Sequence, residues 1–122
     1  MIGIATLGTN DLARAASFYD AVAQEMGAMR MMEFDGFIAW GTPDVGAILG
    51  LTKPYDGHQA SVGNGVMIAL KAKDQDEVHR IYDCAMRQGG TDEGVPGPRG
   101  DGLYAGYFRD PDGNKLNAFV MV

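Results

Sequence analysis

The chain has 122 residues, of which 46% are hydrophobic and 21% charged, and this composition is typical of one globular domain with its own core. Its formal net charge of −6 argues against nucleic acid and anionic membranes as partners, because their phosphates would repel it. One cysteine, Cys84, excludes an intrachain disulfide, and because no signal peptide or membrane-length apolar run is visible we expect a cytoplasmic protein.

The first half of the chain predicts one strand, one helix and three further strands. Residues 2–8 are apolar or β-branched and predict the first strand. A helix follows, with a cap at Asn10 or Asp11, apolar residues at helical spacing and a stop at Gly27. Turn residues then separate three predicted short strands, at 29–34, 36–41 and 46–52.

The second half repeats this order after a linker at about residues 54–63 that has no hydrophobic periodicity. Residues 65–72 predict a strand, Asp74 a helix cap, and Gly89 the end of that helix. Three further strands are predicted at 91–95, 103–109 and 115–121. The extra length of this half fits inside a glycine-rich loop at 94–102.

The two halves superpose residue by residue over part of their length. An offset of 63 places Leu7 on Leu70, and an offset of 68 places Pro43 on Pro111. Such a repeat predicts two modules that share one core. We therefore expect a single α+β domain of two βαβββ modules, at about 1–53 and about 64–122.

Three segments carry a resemblance to a known family: IATLGTNDLARAASFYDAV at 4–22, GNGVMIAL at 63–70 and YAGYFRDPDGNKLNAF at 104–119. With these segments the chain resembles the vicinal-oxygen-chelate superfamily, also called the glyoxalase/bleomycin-resistance/extradiol-dioxygenase superfamily. The resemblance covers essentially the whole chain. It implies an incompletely closed eight-stranded barrel and, usually, a homodimer.

Many members of that superfamily hold a divalent metal at four inward positions, and the resemblance places three of these on Ile4, Met67 and Asn117. The offset of 68 places the fourth on Leu49. Aliphatic and thioether groups with one neutral amide do not supply the imidazole, thiolate or carboxylate donors that such an ion needs. The sequence therefore predicts no divalent metal cofactor, and these four residues become candidates for the wall of a ligand-binding cavity.

Strand alternation adds polar candidates to the same cavity. The predicted inward-facing residues of the last two strands are Tyr107, Arg109, Lys115, Asn117 and Phe119. For Arg109 and Lys115 an alternative stays open, in which both reach solvent and pair with the acidic residues of the intervening turn. A buried Asn117 needs hydrogen-bond partners, and a ligand would supply them.

The favoured hypothesis is a metal-free protein that binds a small molecule for sequestration or sensing. The alternative is a glyoxalase-like lyase, or a related dioxygenase or isomerase. It would use either metal-free acid–base chemistry by Tyr107 and a nearby carboxylate or a shifted metal site drawn from Glu33, Asp56, His58 and Asp101. A third hypothesis is a purely structural or regulatory partner protein. We also expect a homodimer, because an open barrel leaves sheet edges exposed, with Trp40 as a candidate interface residue.

Overall fold

The computed structural model describes residues 1–44 and 46–122. The first half comprises β1 (Ile4–Gly8), α1 (Leu12–Glu25), β2 (Met29–Phe34), β3 (Phe37–Gly41) and β4 (Ile48–Thr52). The second half comprises β5 (Ile68–Lys71), α2 (Gln75–Arg87), β6 (Thr91–Pro98), β7 (Leu103–Arg109) and β8 (Lys115–Met121). Each half is therefore a βαβββ module, which confirms the α+β fold predicted from the repeat.

Each module folds into its own four-stranded sheet. The strand orders are β1-β4-β3-β2 in the first sheet and β5-β8-β7-β6 in the second. In both sheets the first and last strands of the module pair in parallel, and the remaining pairs are antiparallel. Among the described residues no strand of one sheet pairs with a strand of the other, so the chain forms two open half-barrels instead of a closed barrel.

Both helices begin at the aspartates that the sequence predicts as caps. Asp11 accepts a hydrogen bond from the Arg14 amide at 3.0 Å, and Asp74 accepts one from the Glu77 amide at 2.8 Å. These contacts satisfy amide groups that have no partner inside the helix. The Glu77 carboxylate reaches back to the Lys73 amide at 2.9 Å, which gives α2 a reciprocal cap.

One hydrophobic core serves both modules. The two helices pack against each other, and each packs on one face of its own sheet. The largest fully buried apolar side chains come from both halves of the chain: Phe18, Leu51, Ile81, Phe108 and Leu116. Cys84 lies in this core, and burial raises the pKa of its thiol, as suits a packing role.

The turn between β7 and β8 joins the second module to α1. Asp110 is buried in this turn and accepts hydrogen bonds from the Asn114 amide at 2.9 Å and from the Tyr19 hydroxyl at 2.6 Å. Burial, and then the Asp110 carboxylate, raise the pKa of Tyr19 well above its ordinary value. Thr9 and Arg14 bind Asp112 of the same turn. The acidic turn is therefore structural.

Two expectations about the fold are wrong. Residues 94–98 form no loop, because β6 runs to Pro98 and absorbs the extra residues in irregularities on either side of Gly94. Trp40 is unsuited to an interface, because it is only 4% exposed and its indole donates to Asp20 at 2.8 Å. None of the helices in the described part of the chain has the length and apolar character of a membrane span.

Candidate functional site

The second sheet turns one face towards α2 and the other towards solvent; we call the latter the open face. Cross-strand pairing places Tyr107 opposite Asn117, Arg109 opposite Lys115, and Ala105 opposite Phe119. Alternating residues such as Phe108 and Leu116 are buried in the core, so these three pairs lie on the open face. The structure thus brings together the five polar and aromatic candidates from the last two strands.

Asn117 lies near the centre of the open face and is only 3% exposed. Its neighbours are Ala69 and Tyr107 on the flanking strands and Lys115 and Phe119 along its own strand. Its side-chain Oδ1 has no hydrogen-bond partner among the described residues. A buried polar atom without a partner costs about 1–3 kcal/mol, so this atom is an available acceptor for a ligand donor.

Two cations flank the Tyr107 ring. The Lys115 Nζ and the Arg99 Cζ each lie 5.6 Å from the ring centroid, a distance at which a cation is attracted to the ring. The sequence did not predict Arg99 as a site residue, because it follows a strand that was predicted to end at residue 95. An added Cβ on Gly97 or Gly94 would lie 3.1 or 3.3 Å from the Arg99 guanidinium, so the two glycines leave room for it.

Arg109 is held on the open face by partners other than those considered from the sequence. Its Nε donates to Glu93 at 2.7 Å, and its Nη1 donates to the Gly113 carbonyl at 2.9 Å. The alternative in which Arg109 and Lys115 pair with the acidic turn is wrong, because those carboxylates are bound by other groups. Lys115 forms no ion pair within the described residues.

A groove of about 480 Å³ adjoins these side chains, between β7, β8 and the linker. Arg109 and Lys115 line one side, and residues 62–67 line the other, including the 40% exposed Met67. This volume lies in the range of about 300–1,000 Å³ that is usual for small-molecule sites. The lining holds two cations and no acidic side chain.

A smaller cavity of about 150 Å³ lies on the helix side of the first sheet, between α1, β3 and Leu70. Its polar side chains are already bonded: the Tyr19 hydroxyl donates to Asp110 and the Trp40 indole to Asp20. The groove beside the open face is the better candidate, because Lys115 has no ion-pair partner among the described residues and the neighbouring Asn117 Oδ1 has no hydrogen-bond partner there.

The sequence matches the profile of the Glyoxalase/Bleomycin resistance protein/Dioxygenase superfamily over residues 2–118. The chain belongs to this superfamily. It is 32% identical to a glyoxalase/bleomycin resistance protein from Albidiferax ferrireducens, with a TM-score of 0.92, and the match covers 100% of this chain and 99% of that one.

More distant superfamily structures share the fold. A lactoylglutathione lyase from Agrobacterium tumefaciens is 21% identical, with a TM-score of 0.71 over 98% of this chain and 92% of its own. A glyoxalase/bleomycin resistance protein/dioxygenase family enzyme from Burkholderia phytofirmans is 14% identical, with a TM-score of 0.79 over 98% of both chains. No functionally curated protein matched the sequence.

The strand register corrects one of the four positions that the sequence comparison of the two halves assigned. The offset of 63 places Thr6 on Ala69. Thr6 pairs with Gly50 in the first sheet, and Ala69 pairs with Asn117 in the second. Gly50, and not Leu49, is therefore the counterpart of Asn117. Leu49 was placed on the wrong face, because a slip of one residue along a strand reverses the face; it packs against the core.

The four positions considered from the resemblance thus become Ile4 and Gly50 in the first module and Met67 and Asn117 in the second, and none of these side chains carries the imidazole, thiolate or carboxylate that suits a divalent ion. The shifted donor set does not converge either. Glu33 pairs with Arg30 on β2, Asp56 pairs with His58 in the linker, and Asp101 lies in the turn after β6. Among the described residues no three His, Cys, Asp or Glu side chains form a metal-binding group.

Proposed function

We propose that this superfamily member binds a small organic molecule on the open face of its second sheet, for sequestration or sensing, without a divalent metal. The observation that carries the proposal is Asn117, whose buried Oδ1 lacks a partner among the described residues. A ligand donor there would remove a cost that the folded protein otherwise bears. The groove of about 480 Å³ is lined by Lys115, the neighbour of Asn117 on β8, and would supply the necessary space.

The donor chemistry of the site supports binding without a metal. Ile4, Gly50 and Met67 offer no imidazole, thiolate or carboxylate, and Asn117 offers one neutral amide. Lys115 and Arg109 stand beside that amide and would repel a cation. A reaction that depends on a Lewis acid at this position would therefore lack its ligands.

We further propose that the protein acts as a cytoplasmic homodimer. The first sheet also has a face turned away from its helix, and β2 exposes a row of apolar side chains on this face: Met29, Met31, Met32 and Phe34. A contiguous apolar patch of this kind is typical of an interaction surface. A second copy would cover it and would close a half-barrel that is open in one chain.

Two measurements test the proposal. Elemental analysis of protein purified without chelators should find zinc, nickel, manganese and iron far below one equivalent; a near-stoichiometric metal would contradict metal-free binding. A screen of small molecules should find a compound class that raises the melting temperature of the wild type but not of Asn117→Leu. Gln88→Leu, at an exposed position beyond α2, is the matched control and should respond as the wild type does.

The competing hypotheses predict different results. Turnover of methylglyoxal and glutathione that chelators abolish would favour the lyase alternative. Failure of every compound to raise the melting temperature would favour a structural or regulatory partner protein. Either result would overturn the proposed function.

A further inference from the structure

We infer that the ligand of the open face is a small organic anion that also carries an O–H or N–H donor. This inference rests on the proposed function and adds the chemical class of the ligand. The negative charge is argued from the cations around Tyr107, and the donor is argued independently from Asn117.

The cations on the open face exceed the anions that contact them. Arg109 and Lys115 are directly opposite each other on β7 and β8, and like charges in this position destabilise a sheet. Glu93 neutralises Arg109 at 2.7 Å. Lys115 and Arg99 form no ion pair among the described residues, so two positive charges remain uncompensated in a chain whose net charge is −6. A bound anion would compensate them.

The backbone positions Arg99. Its guanidinium donates to the carbonyls of Val95 at 2.5 Å and Pro98 at 3.1 Å, and it lies across the glycines of β6. These contacts hold the cation beside Tyr107 before any ligand arrives. The entropic cost of ordering the Arg99 side chain on binding is therefore lower. Arginine in a fixed position is well suited to carboxylate or phosphate groups.

Asn117 supplies the second requirement. It is more than nine-tenths buried, it lies on the same face as Lys115, and the atom without a partner is an acceptor. An anionic oxygen cannot satisfy that acceptor, whereas a hydroxyl or an N–H on the ligand can. Its neighbour Lys115 is long and flexible, so its movement can admit the donor to this atom.

Carboxylates and phosphate monoesters share this chemistry, and a matched set of probes distinguishes them. The set is 4-hydroxybenzoate, 4-hydroxyphenyl phosphate, benzoate, 4-hydroxybenzamide and 4-hydroxybenzylamine. All carry one benzene ring, which suits the aromatic Tyr107 and Phe119, and they differ in charge or in the donor. Calorimetric titration gives the affinity of each probe for the wild type and for Lys115→Met, Arg99→Met and the control Lys73→Met, an exposed lysine before α2 that does not line the groove.

At least one of the two hydroxylated anions should bind most tightly, and the stronger of them identifies the acidic group. Benzoate should bind more weakly because it lacks the donor, and the amide and amine because they lack the negative charge. Loss of Lys115 or Arg99 should weaken binding about tenfold or more, as for a charge-assisted hydrogen bond, and Lys73→Met should change nothing. Added salt should weaken binding of the anions.

Two results would overturn the inference. If the amide or the amine binds as tightly as the anions, and Asn117→Leu abolishes that binding, the proposed function stands and the ligand class is wrong. If no probe binds, the ligand class is also wrong, and the wider compound screen decides the proposed function separately.

Discussion

Asn114 and Asn117 are only three residues apart and both are buried, but their side-chain amides differ in hydrogen bonding. The Asn114 amide donates to the Gly8 carbonyl and to Asp110, both at 2.9 Å. The Asn117 Oδ1 has no partner among the described residues. The first asparagine therefore stabilises the turn, whereas the second bears a cost that is consistent with a role in binding.

This contrast predicts opposite effects of one substitution. Asn117→Leu should leave the free energy of unfolding unchanged or raise it by about 1 kcal/mol, because it removes an unsatisfied polar atom. Asn114→Leu should lower it by about 2 kcal/mol or more, because Asp110 and Gly8 lose their donor. Urea unfolding of both variants measures the difference. A large loss of stability in Asn117→Leu would show that its amide has a structural partner.

Site residues were predictable where only strand alternation decided their position. Tyr107, Lys115 and Asn117 follow from the period of two once β7 and β8 are recognised. Leu49 was misassigned, because the turn before β4 differs in length from the turn before β8 by one residue. Arg99 could not be placed, because its position depends on the irregular pairing of β6.

At the scale of elements, a partly buried hydrogen bond and an ion pair attach α1 to the first sheet. Asp20 on α1 accepts from Trp40 on β3 at 2.8 Å and binds Arg30 on β2 at 2.8 and 2.9 Å. The hydrogen bonds from Arg30, and then from Trp40, lower the pKa of Asp20. This helix–sheet contact should therefore depend on pH.

A carboxylate whose pKa is lowered in the folded state stabilises the protein above its ordinary pKa of about 3.9. That contribution disappears as the pH falls through the lower, folded value. Asp20→Asn should therefore be less stable than the wild type at pH 7, and the difference should shrink below about pH 4. Asp83→Asn, at the equivalent position of α2 where no ion pair forms among the described residues, should show little difference at either pH. Thermal unfolding at several pH values tests this, and a constant difference for Asp20→Asn would contradict it.

The end of α2 depends on a close approach at Gly90. A Cβ at this position would lie 2.8 Å from two backbone oxygens, those of Ala85 in α2 and Arg109 in β7. Backbone atoms cannot move aside as a flexible side chain can. Gly90→Ala should therefore lower the free energy of unfolding by about 1–3 kcal/mol, the usual cost of overpacking. Gly3→Ala, which meets nothing within 4 Å, is the control; equal stability of the two variants in urea would refute the argument.

On the scale of the whole molecule, the two modules share a core while each sheet leaves one face uncovered. The Tyr19–Asp110 contact and the packing of α1 against α2 join the modules. The face of the first sheet that is turned from α1 is apolar, and the open face of the second sheet is cationic and polar. This difference supports the two roles that we propose, association for the first face and ligand binding for the second.

The apolar face predicts the oligomeric state. Light scattering at micromolar concentration should give the mass of a dimer for the wild type and of a monomer for the double variant Met32→Lys/Phe34→Lys. The charges would be buried without partners in the dimer, which is strongly unfavourable. Tyr55→Lys changes an aromatic residue in the linker that is still more exposed than Phe34 and should leave the dimer intact. A monomeric wild type would refute the prediction.

The sequence by itself determined the two βαβββ modules, their caps and the face of β7 and β8 that carries Tyr107 and Asn117, because hydrophobic period, cap chemistry and turns are local properties. The tertiary structure decided which residues of the two modules are equivalent, since Gly50 replaces Leu49 as the counterpart of Asn117 only when the register with β1 is known. It also decided that Trp40 is core and that Arg99 reaches Tyr107. These facts depend on contacts between residues distant in the chain, and no local pattern encodes the length of an irregular strand or the partner of a buried indole.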